Sequence, residues 1–283
     1  MQIAADSTLI RVNGQTLTEV SALDRGLHYG DGLFETIGCT GGQARLLPLH
    51  LQRLSAGCQR LGIALGGTQE IAREIAALAA PMPRCVIKLL VTRGTAAARG
   101  YAVSGSETAT RVTLRYPWPE ENPQLALHGV RVRTATTRLG ENPALAGLKH
   151  CNRLEQVLAR REWTDPSIAE ALMYSSAGDL VSGTMTNLFV VRNSRLQTPR
   201  LERCGVAGVM RRTVLQAAGT AGIGVEECTL QAADLADAEE LFLTNALIGI
   251  HPVRELDGRP FVPGPVTRRL QGELALLLAG SPA

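Results

Sequence analysis

A short stretch rich in proline interrupts the sequence and constrains it to fold as two parts. The segment Tyr116-Pro117-Trp118-Pro119-Glu120-Glu121-Asn122-Pro123 is otherwise polar, and proline disfavours the interior of both helices and sheets. The chain has 283 residues, which is more than a single hydrophobic core usually serves. The sequence therefore predicts a smaller N-terminal α/β domain over residues 1–116, a linker over 117–124 and a larger domain over 125–283.

Helical and strand patterns occur on both sides of this linker. Apolar residues at helical spacing predict a helix from Leu47 to Leu61, and a second helix is predicted from about Thr68 to Ala80. A run rich in β-branched residues, Cys85 to Thr92, predicts a strand. Beyond the linker the predicted strands are 130–136, 170–174, 187–191 and 240–243, and helices are predicted after Asn152, Gly208 and Pro265. Because strands and helices are mixed rather than strictly alternating, α+β domains are expected.

The composition excludes several classes of protein. The net charge of +3, from 29 basic and 26 acidic residues, is too small and too dispersed for a protein that binds nucleic acid. Apolar stretches are too short to span a bilayer, and the N-terminus lacks the pattern of a secretory signal. The six cysteines form no C-x-x-C pair and no zinc-site spacing with histidine, so no metal is expected. Such cysteines are typical of a reducing compartment, which predicts a cytoplasmic protein.

One lysine stands before the predicted start of a helix. Lys149 follows the small, flexible step Ala146-Gly147, and Asn152 with Glu155 three residues later forms a pattern like a capping box. Apolar residues then repeat at helical spacing, at Leu154, Val157 and Leu158. A lysine held at the end of such an element and partly desolvated has a lowered pKa and forms Schiff bases. The pattern alone is also compatible with an exposed lysine near a helix N-terminus.

Several motifs along the chain together resemble one enzyme family. The segment from Ala146 to Gln156 resembles the lysine segment of the aminodeoxychorismate lyases. These belong to the fold-type IV enzymes that use pyridoxal phosphate (PLP), with the branched-chain and D-amino-acid aminotransferases. Further segments match family motifs in order, namely 24–36, 50–54, 93–94 with 99–101, 205–211 and 244–246. The resemblance covers nearly the whole chain and implies a two-domain α+β fold like that of the D-amino-acid aminotransferases.

The resemblance implies a set of residues for PLP. Lys149 is the catalytic residue and the amine that binds the cofactor, and Arg53 is the arginine for its phosphate. Arg153 is an expected contact of the cofactor ring. Backbone amides near a helix start bind phosphate well, and two segments are expected to supply them, Val209-Met210 and Thr244-Asn245-Ala246. The structural alternatives are a surface or helix-starting arginine, a plain loop before a helix and a strand end with a turn.

The resemblance also implies a substrate with two carboxylates. Paired arginines suit such a molecule, and Arg93 and Arg99 lie together in one predicted loop. The other expected substrate contacts are Tyr29, Tyr101 and Arg138. The alternatives are a solvated loop for the residues from Arg93 to Tyr101, a turn for Arg138 and a core position for Tyr29.

One position departs from the family pattern. In most relatives a glutamate stands five residues before the asparagine of an N-[LI]-F strand, whereas Ser182 stands five residues before Asn187 here. A carboxylate keeps the pyridine nitrogen protonated, while a hydroxyl only shares a hydrogen bond with a largely neutral ring. Ser182 is the expected partner of the ring nitrogen, the alternative being a turn residue with water or another group in that place.

These expectations together predict a lyase of folate biosynthesis. The implied reaction converts 4-amino-4-deoxychorismate to 4-aminobenzoate and pyruvate, and the relatives imply a homodimer. The nearest alternative is an aminotransferase for D- or branched-chain amino acids, and a second alternative is a PLP-binding protein without catalysis. The arginine loop favours the lyase. Ser182 also favours it, because reversible transamination depends more strongly on a protonated ring.

Overall fold

The computed structural model describes residues 9–96, 99–120 and 122–280. The strands are β1 (Leu9–Val12), β2 (Gly32–Thr40), β3 (Gln43–Ala44), β4 (Arg84–Thr92), β5 (Thr110–Pro117), β6 (Val130–Thr134), β7 (Ile168–Tyr174), β8 (Leu180–Gly183), β9 (Asn187–Arg192), β10 (Arg195–Pro199), β11 (Val225–Cys228), β12 (Glu240–Asn245), β13 (Gly249–Leu256) and β14 (Arg259–Pro260). The α-helices are α1 (Arg25–Tyr29), α2 (Leu47–Leu61), α3 (Thr68–Ala79), α4 (Pro123–His128), α5 (Leu154–Arg160), α6 (Val209–Thr220) and α7 (Pro265–Gly280).

The described part of the first compact unit comprises residues 9–96, 99–120 and 149–152. In its described part, an antiparallel sheet of five strands has the order β1-β5-β4-β2-β3. β2 and β4 pair without a register shift from Gly32–Thr92 to Thr40–Arg84. Helix α2 packs against β2 and helix α3 against β4. The core on this sheet includes the fully buried side chains of Ile37, Ile75 and Leu89.

The described part of the second unit comprises residues 122–148 and 153–280. Over its described residues the strands follow the order β11-β10-β9-β12-β13-β6-β7-β8, and β14 pairs with β13. The pairs β10–β11, β13–β6 and β6–β7 are parallel and the others are antiparallel. In the centre of this sheet Phe189 and Phe242 stack with ring centroids 4.9 Å apart. Mixed strand directions within one sheet confirm the predicted α+β class.

Most of the predicted helices and strands are confirmed. Helix α2 has the predicted bounds, and α3 and β4 each differ from prediction by one residue. The strands predicted beyond the linker correspond to β6, β7, β9 and β12, and helices start near Asn152, Gly208 and Pro265 as expected. Among the described residues, no helix combines the length and apolarity that crossing a bilayer requires.

The predicted linker is largely occupied by the ends of two elements. β5 continues through Pro117, and α4 begins at Pro123 behind the cap Asn122, whose side chain accepts a hydrogen bond from the Gln124 amide at 3.0 Å. Proline is tolerated at both places, because a terminal strand residue and the first turn of a helix do not need its missing N–H. Glu121 lies outside the described residues.

The lysine segment clusters with the first unit, although the sequence placed it in the larger C-terminal domain. The amide of Phe34 donates to the carbonyl of Lys149 at 3.0 Å, and the amide of Cys151 donates to the carbonyl of Gly32 at 2.9 Å. These bonds form an antiparallel bridge between Leu33 and His150. Residues 149–152 thus extend the pairing of β2, which no local pattern in the sequence indicates.

The predicted capping of α5 is wrong. The N-cap is Arg153, no side chain caps it, and Asn152 instead donates to the Gly30 carbonyl at 3.4 Å. Glu155 accepts the Gly140 amide at 2.7 Å rather than closing a capping box. Both side chains therefore bond to groups that are distant in sequence instead of capping α5. The apolar face of α5 is also not buried in the chain, since Leu154, Val157 and Leu158 are exposed by 76%, 52% and 51%.

Candidate active site

The first unit holds Lys149 against an aromatic ring. Gly147, with φ of +80°, turns the chain just before the lysine, and the backbone pairing with β2 fixes the lysine main chain. The Lys149 Nζ lies 4.3 Å from the ring centroid of Phe34. A cation in this position is stabilised by the ring quadrupole. The side chain therefore points to a defined place rather than freely into solvent.

The same ring carries a second amine. Lys88 Nζ lies 5.6 Å from the Phe34 centroid, and Lys88 is the only other lysine of the 283-residue sequence. In the β2–β4 register Lys88 is opposite Thr36, which lies two residues after Phe34 and so on the same sheet face. Both lysines of the chain thus face one side of this sheet. Lys88 was not among the predicted site residues, and its signal in the sequence is a single lysine in a largely apolar strand.

Arg53 lies in a buried cluster on the other side of β2. Its Nε and Nη2 donate to Glu35 at 2.8 and 2.5 Å, and His50 Nδ1 lies 2.7 Å from the same carboxylate. The side chains of Glu35 and His50 are 1% exposed and that of Arg53 is 16% exposed. Glu35 and Arg53 therefore form a paired fork, which orients the guanidinium. Arg53 is a predicted site residue, whereas Glu35 and His50 were not predicted from the sequence.

The charges in this cluster are balanced. Burial raises the pKa of Glu35, but hydrogen bonds from His50 and Arg53 outweigh burial and hold this pKa below its usual value. Burial lowers the pKa of His50 despite the hydrogen bond with Glu35, and the positive charges of Arg53 and Lys149 lower it further. Glu35 is therefore ionised and His50 neutral at pH 7. Lys149 and Arg53 act electrostatically on one histidine of the first unit.

Arg93 is engaged in the protein rather than presented to a substrate. Its Nε and Nη2 donate to Asp31 at 2.8 and 3.1 Å, and Nη1 and Nη2 donate to the carbonyls of Gly62 and Leu61 at 2.7 and 2.8 Å. Arg93 is 9% exposed. Arg25 shares the Asp31 carboxylate at 2.9 Å. These donors join β4, the end of α2 and the start of β2, so Arg93 has a structural role, while its contact with the substrate stays a prediction.

The rest of the predicted substrate loop is exposed. Arg99 is exposed, and Tyr101 is exposed by 84%. Tyr29 is half-buried, and its ring centroid lies 5.2 Å from that of Tyr101. These three predicted substrate residues belong to one surface region of the first unit.

In the second unit, a glycine turn leads into helix α6. The amide of Gly147 donates to the carbonyl of Gly205 at 3.0 Å, and the Asn187 side chain donates to the carbonyl of Val206 at 2.9 Å. A Cβ on Gly208 would lie 2.0 Å from Asn187 Oδ1, so only glycine fits at this N-cap. No side chain caps α6, whose first residues are Val209 and Met210. The first-turn amides of α6 are thus suited to an anion.

The segment Thr244-Asn245-Ala246 ends β12 in a tight turn. Thr244 Oγ1 donates to the Gly249 carbonyl at 2.6 Å. Asn245 Oδ1 accepts the amides of Leu247 and Ile248 at 2.9 and 3.0 Å. The hydroxyl expected for the cofactor is therefore used to close the turn, while the position of this segment at the end of a strand agrees with the prediction.

Ser182 is buried in β8. It is 8% exposed, and its Oγ donates to the Gly183 carbonyl at 2.9 Å. Beside it, the buried Glu170 accepts the amides of Thr184 and Met185 at 3.0 and 3.1 Å and the hydroxyls of Thr184 and Thr186 at 2.5 and 3.1 Å. Glu170 therefore shapes the turn before Asn187. The sequence signal for it is a glutamate within the apolar strand β7.

The two remaining candidates of the second unit contact protein groups. Arg138 is exposed and lies over the ring of Tyr174, 5.0 Å from its centroid. Arg153 Nη2 donates to the carbonyl of Leu148 at 3.3 Å. Among the described residues, no group of three or more His, Cys, Asp and Glu side chains is placed to hold a metal ion.

Comparison with known proteins gives these residues a family context. The model of the family amino-transferase class IV matches residues 32–256. The chain therefore belongs to the class IV aminotransferases. The family match begins at the first residue of β2 and ends at the last of β13, so it includes Lys149, Arg53 and Ser182. The predicted fold-type IV architecture is confirmed.

Individual relatives within the class IV aminotransferases cover nearly the whole chain. Aminodeoxychorismate lyase of Vibrio harveyi is 35% identical over 267 residues, which are 93% of this chain and 98% of that protein. The crystal structure of 4-amino-4-deoxychorismate lyase from Pseudomonas aeruginosa superposes with a TM-score of 0.90 at 45% identity, covering 94% of this chain and 98% of that one. A putative branched-chain-amino-acid aminotransferase of Methanocaldococcus jannaschii is 32% identical over 273 residues, with 93% of each chain covered.

Proposed function

We propose that this class IV aminotransferase is a PLP-dependent lyase that converts 4-amino-4-deoxychorismate to 4-aminobenzoate and pyruvate. The observation that carries the proposal is the fixed amine of Lys149, paired through its backbone to β2 and placed 4.3 Å from the Phe34 ring. Its substrate assignment is supported by the lyases from Pseudomonas aeruginosa and Vibrio harveyi, at 45% and 35% identity over nearly the full length. The product belongs to folate biosynthesis.

The residues present suit PLP. The amine of Lys149, whose main chain is fixed, suits the aldehyde of this cofactor. An arginine oriented by a buried carboxylate and an uncapped helix start suit its phosphate. Lys149 would hold the aldehyde carbon, Arg53 the phosphate, and the amides of Val209 and Met210 would add donors to the phosphate. When bound, PLP supplies an electron sink for the bond cleavages. Arg153, Ser182 and the turn at Thr244–Ala246 are proposed as further contacts of the cofactor.

Lys149 also moves the proton. Its amine accepts the proton from the amine-bearing carbon of the substrate and returns it to the methylene carbon of the departing enolpyruvate, which yields pyruvate. The proton that leaves one carbon is thus delivered to another, and aromatisation of the remaining ring drives the reaction. The Phe34 ring, 4.3 Å from Nζ, and the backbone pairing with β2 hold this amine in one place, which suits transfer of a proton between two carbons of one substrate.

Substrate carboxylates are proposed to bind at exposed cations. Arg99 is the principal candidate of the first unit, where Tyr29 and Tyr101 are further candidates. Arg138 is a candidate of the second unit. Arg93 has a supporting role instead, because Asp31 and two carbonyls hold its guanidinium.

We also propose that the protein is a cytoplasmic homodimer. The exposed apolar face of α5, formed by Leu154, Val157 and Leu158, is the surface that supports association. All six cysteines are free, which suits a reducing compartment.

The experiment that tests the function is incubation of the purified protein with 4-amino-4-deoxychorismate. 4-Aminobenzoate and pyruvate should form in equal amounts, and Lys149→Ala should form neither. The second candidate, a branched-chain or D-amino-acid aminotransferase, has support from the relative of Methanocaldococcus jannaschii at 32% identity. Parallel reactions with amino acids and 2-keto acids separate the two, since a transaminase would form a new amino acid and no 4-aminobenzoate. A PLP carrier without catalysis would give no product in either reaction.

A further inference from the structure

Arg25 has an unusual set of partners for an arginine on a helix of five residues. Its Nη1 donates to the carbonyls of Gly100 and Ala102 at 3.0 and 3.3 Å, and its Nη2 donates to the carbonyl of Tyr101 at 3.1 Å. Three consecutive carbonyls of an exposed loop therefore converge on one guanidinium. Arg25 itself is only 4% exposed. Nothing in the proposed chemistry uses this buried cation.

The guanidinium of Arg25 is itself held in place. Its Nε donates to Asp31 at 2.9 Å, and Asp31 is held in turn by two donors of Arg93. Burial raises the pKa of Asp31, but the hydrogen bonds from Arg93 and Arg25 outweigh it and keep this pKa below its usual value. The loop is thus connected through Arg25 to an ionised carboxylate and through Arg93 to the end of α2.

Aromatic contacts reinforce the same connection. The Arg25 guanidinium lies 5.0 Å from the ring centroid of Tyr29, and the Tyr29 ring lies 5.2 Å from that of Tyr101. Tyr101 is 84% exposed, so its own burial does not hold the loop. The polar bonds of Arg25 are therefore the principal restraint on residues 100–102 among the described contacts of this segment.

We propose that Arg25 is a positioning residue that sets the conformation of residues 99–102 and so controls recognition of the substrate carboxylate by Arg99. The inference rests on the proposed function for the role of Arg99. Arginine suits the task because its planar fork has five donors that reach several carbonyls at once, whereas a lysine ammonium acts as one point charge. Arg25 acts through the loop and does not itself touch the substrate.

Trypsin provides a direct test, because the exposed Arg99 precedes Gly100 in a cleavable bond. A protease binds its substrate in an extended form, and the carbonyls that follow this bond are held by Arg25. In Arg25→Gln the rate of cleavage after Arg99, followed by mass spectrometry of the purified protein, should rise about tenfold or more. Arg259→Gln is the control, since Arg259 also holds two consecutive carbonyls, those of Leu235 and Ala236, in the second unit.

A kinetic cycle tests the link to Arg99. Arg25→Gln should raise KM for 4-amino-4-deoxychorismate about ten- to hundredfold, with kcat and bound cofactor within a factor of three. The Arg25→Gln/Arg99→Ala double variant should be little worse than Arg99→Ala alone, because both changes remove one interaction. Arg25→Lys should give intermediate cleavage and KM, and it replaces Arg25→Gln in every comparison if the latter does not fold.

The outcomes separate this inference from the proposed function. Cleavage after Arg99 at the wild-type rate, or additive effects on KM in the double variant, would overturn the positioning role of Arg25. The trypsin experiment needs no substrate. If the wild type does not convert 4-amino-4-deoxychorismate, the proposed function fails, while the cleavage rates still decide whether Arg25 restrains the loop.

Discussion

The Glu35 carboxylate and the Arg53 guanidinium form a paired fork beneath β2, with Nε at 2.8 Å and Nη2 at 2.5 Å from its two oxygens. Such a pair carries no net charge. Arg53 therefore recognises an anion mainly through the direction of its hydrogen bonds rather than through excess positive charge. Glu35 also pairs with His50, which burial keeps neutral. The orientation of the predicted phosphate arginine thus depends on a residue that belongs to a strand, not to its own helix.

Glu35→Gln should weaken binding of the cofactor. The amide can accept from only one Arg53 donor, so the guanidinium loses its fixed direction. We expect PLP affinity of the apoprotein, measured by absorbance titration, to fall about tenfold, the equivalent of one charge-assisted hydrogen bond of roughly 1.5 kcal/mol. The control is Glu74→Gln, because Glu74 is also buried and pairs with Arg111 at 2.8 Å. Equal effects of the two variants would indicate general destabilisation.

Lys149 should carry the cofactor, and the sequence makes the assignment sharp because Lys88 is the only alternative lysine. Borohydride treatment of the holoprotein should fix PLP on the peptide that contains Lys149, and Lys149→Ala should abolish product formation. Lys88→Ala should keep the fixed cofactor, since Lys88 Nζ lies farther from the Phe34 centroid than Lys149 Nζ, at 5.6 Å against 4.3 Å, and Lys88 belongs to the middle of β4 rather than to the lysine segment. Labelling of Lys88 in the wild type would contradict the assignment.

Arg93 and Arg99 should respond differently to substitution by alanine. Arg99→Ala should raise KM about ten- to hundredfold without changing stability. Arg93→Ala should lower the free energy of unfolding by about 3 kcal/mol, because the half-buried Asp31 carboxylate loses one of its two cationic partners and the carbonyls of Leu61 and Gly62 lose their donors. The measurements are steady-state kinetics and urea denaturation of both variants. If the two variants had the same free energy of unfolding, the contacts of Arg93 would not have the predicted stabilising role.

The Arg93 effect should also depend on pH. The pKa of Asp31 is lower in the folded protein than its unfolded value of 3.8, so the stabilisation is fully present above pH 3.8 and disappears as pH falls through the folded pKa. The difference in stability between wild type and Arg93→Ala should therefore be largest near neutral pH and should shrink in acid.

Ser182→Glu should raise a transaminase side reaction. A carboxylate near the ring nitrogen would stabilise the protonated ring, whereas the serine hydroxyl supplies no charge. Ser182 is 8% exposed, so the larger side chain also tests space, and Ser182→Gln serves as the control of equal size. Half-reactions with amino acids should be faster in Ser182→Glu than in Ser182→Gln. Fast transamination by the wild type would rule out this reasoning.

Leu158→Glu should weaken association of two copies. Leu158 is 51% exposed on the apolar face of α5, and a buried charge at an interface costs several kcal/mol. Light scattering should show a dimeric wild type and a largely monomeric variant. Leu276→Glu on α7 is the control, since Leu276 is 71% exposed outside that face. A monomeric wild type would contradict the proposed assembly.

The sequence by itself determined much of the local structure and the family. The periodicity of α2 gave its bounds, β-branched residues marked β4, and the segment around Lys149 indicated the chemistry, because such signals depend on neighbours along the chain. The sequence also predicts a flexible step at Gly147 and a helix start after Gly208, and the φ of Gly147 and the close contact of Gly208 favour glycine at both positions.

Only the tertiary structure decided which partners the polar side chains have. Asn152 and Glu155 leave the expected capping box for Gly30 and Gly140, and Arg93 contacts Asp31 instead of solvent. Leu158 has the spacing of a core residue but stays exposed. The polar cases have one physical reason: a donor or a carboxylate takes the best partner that the folded chain brings near, and that partner lies far away in sequence, where no local pattern records it.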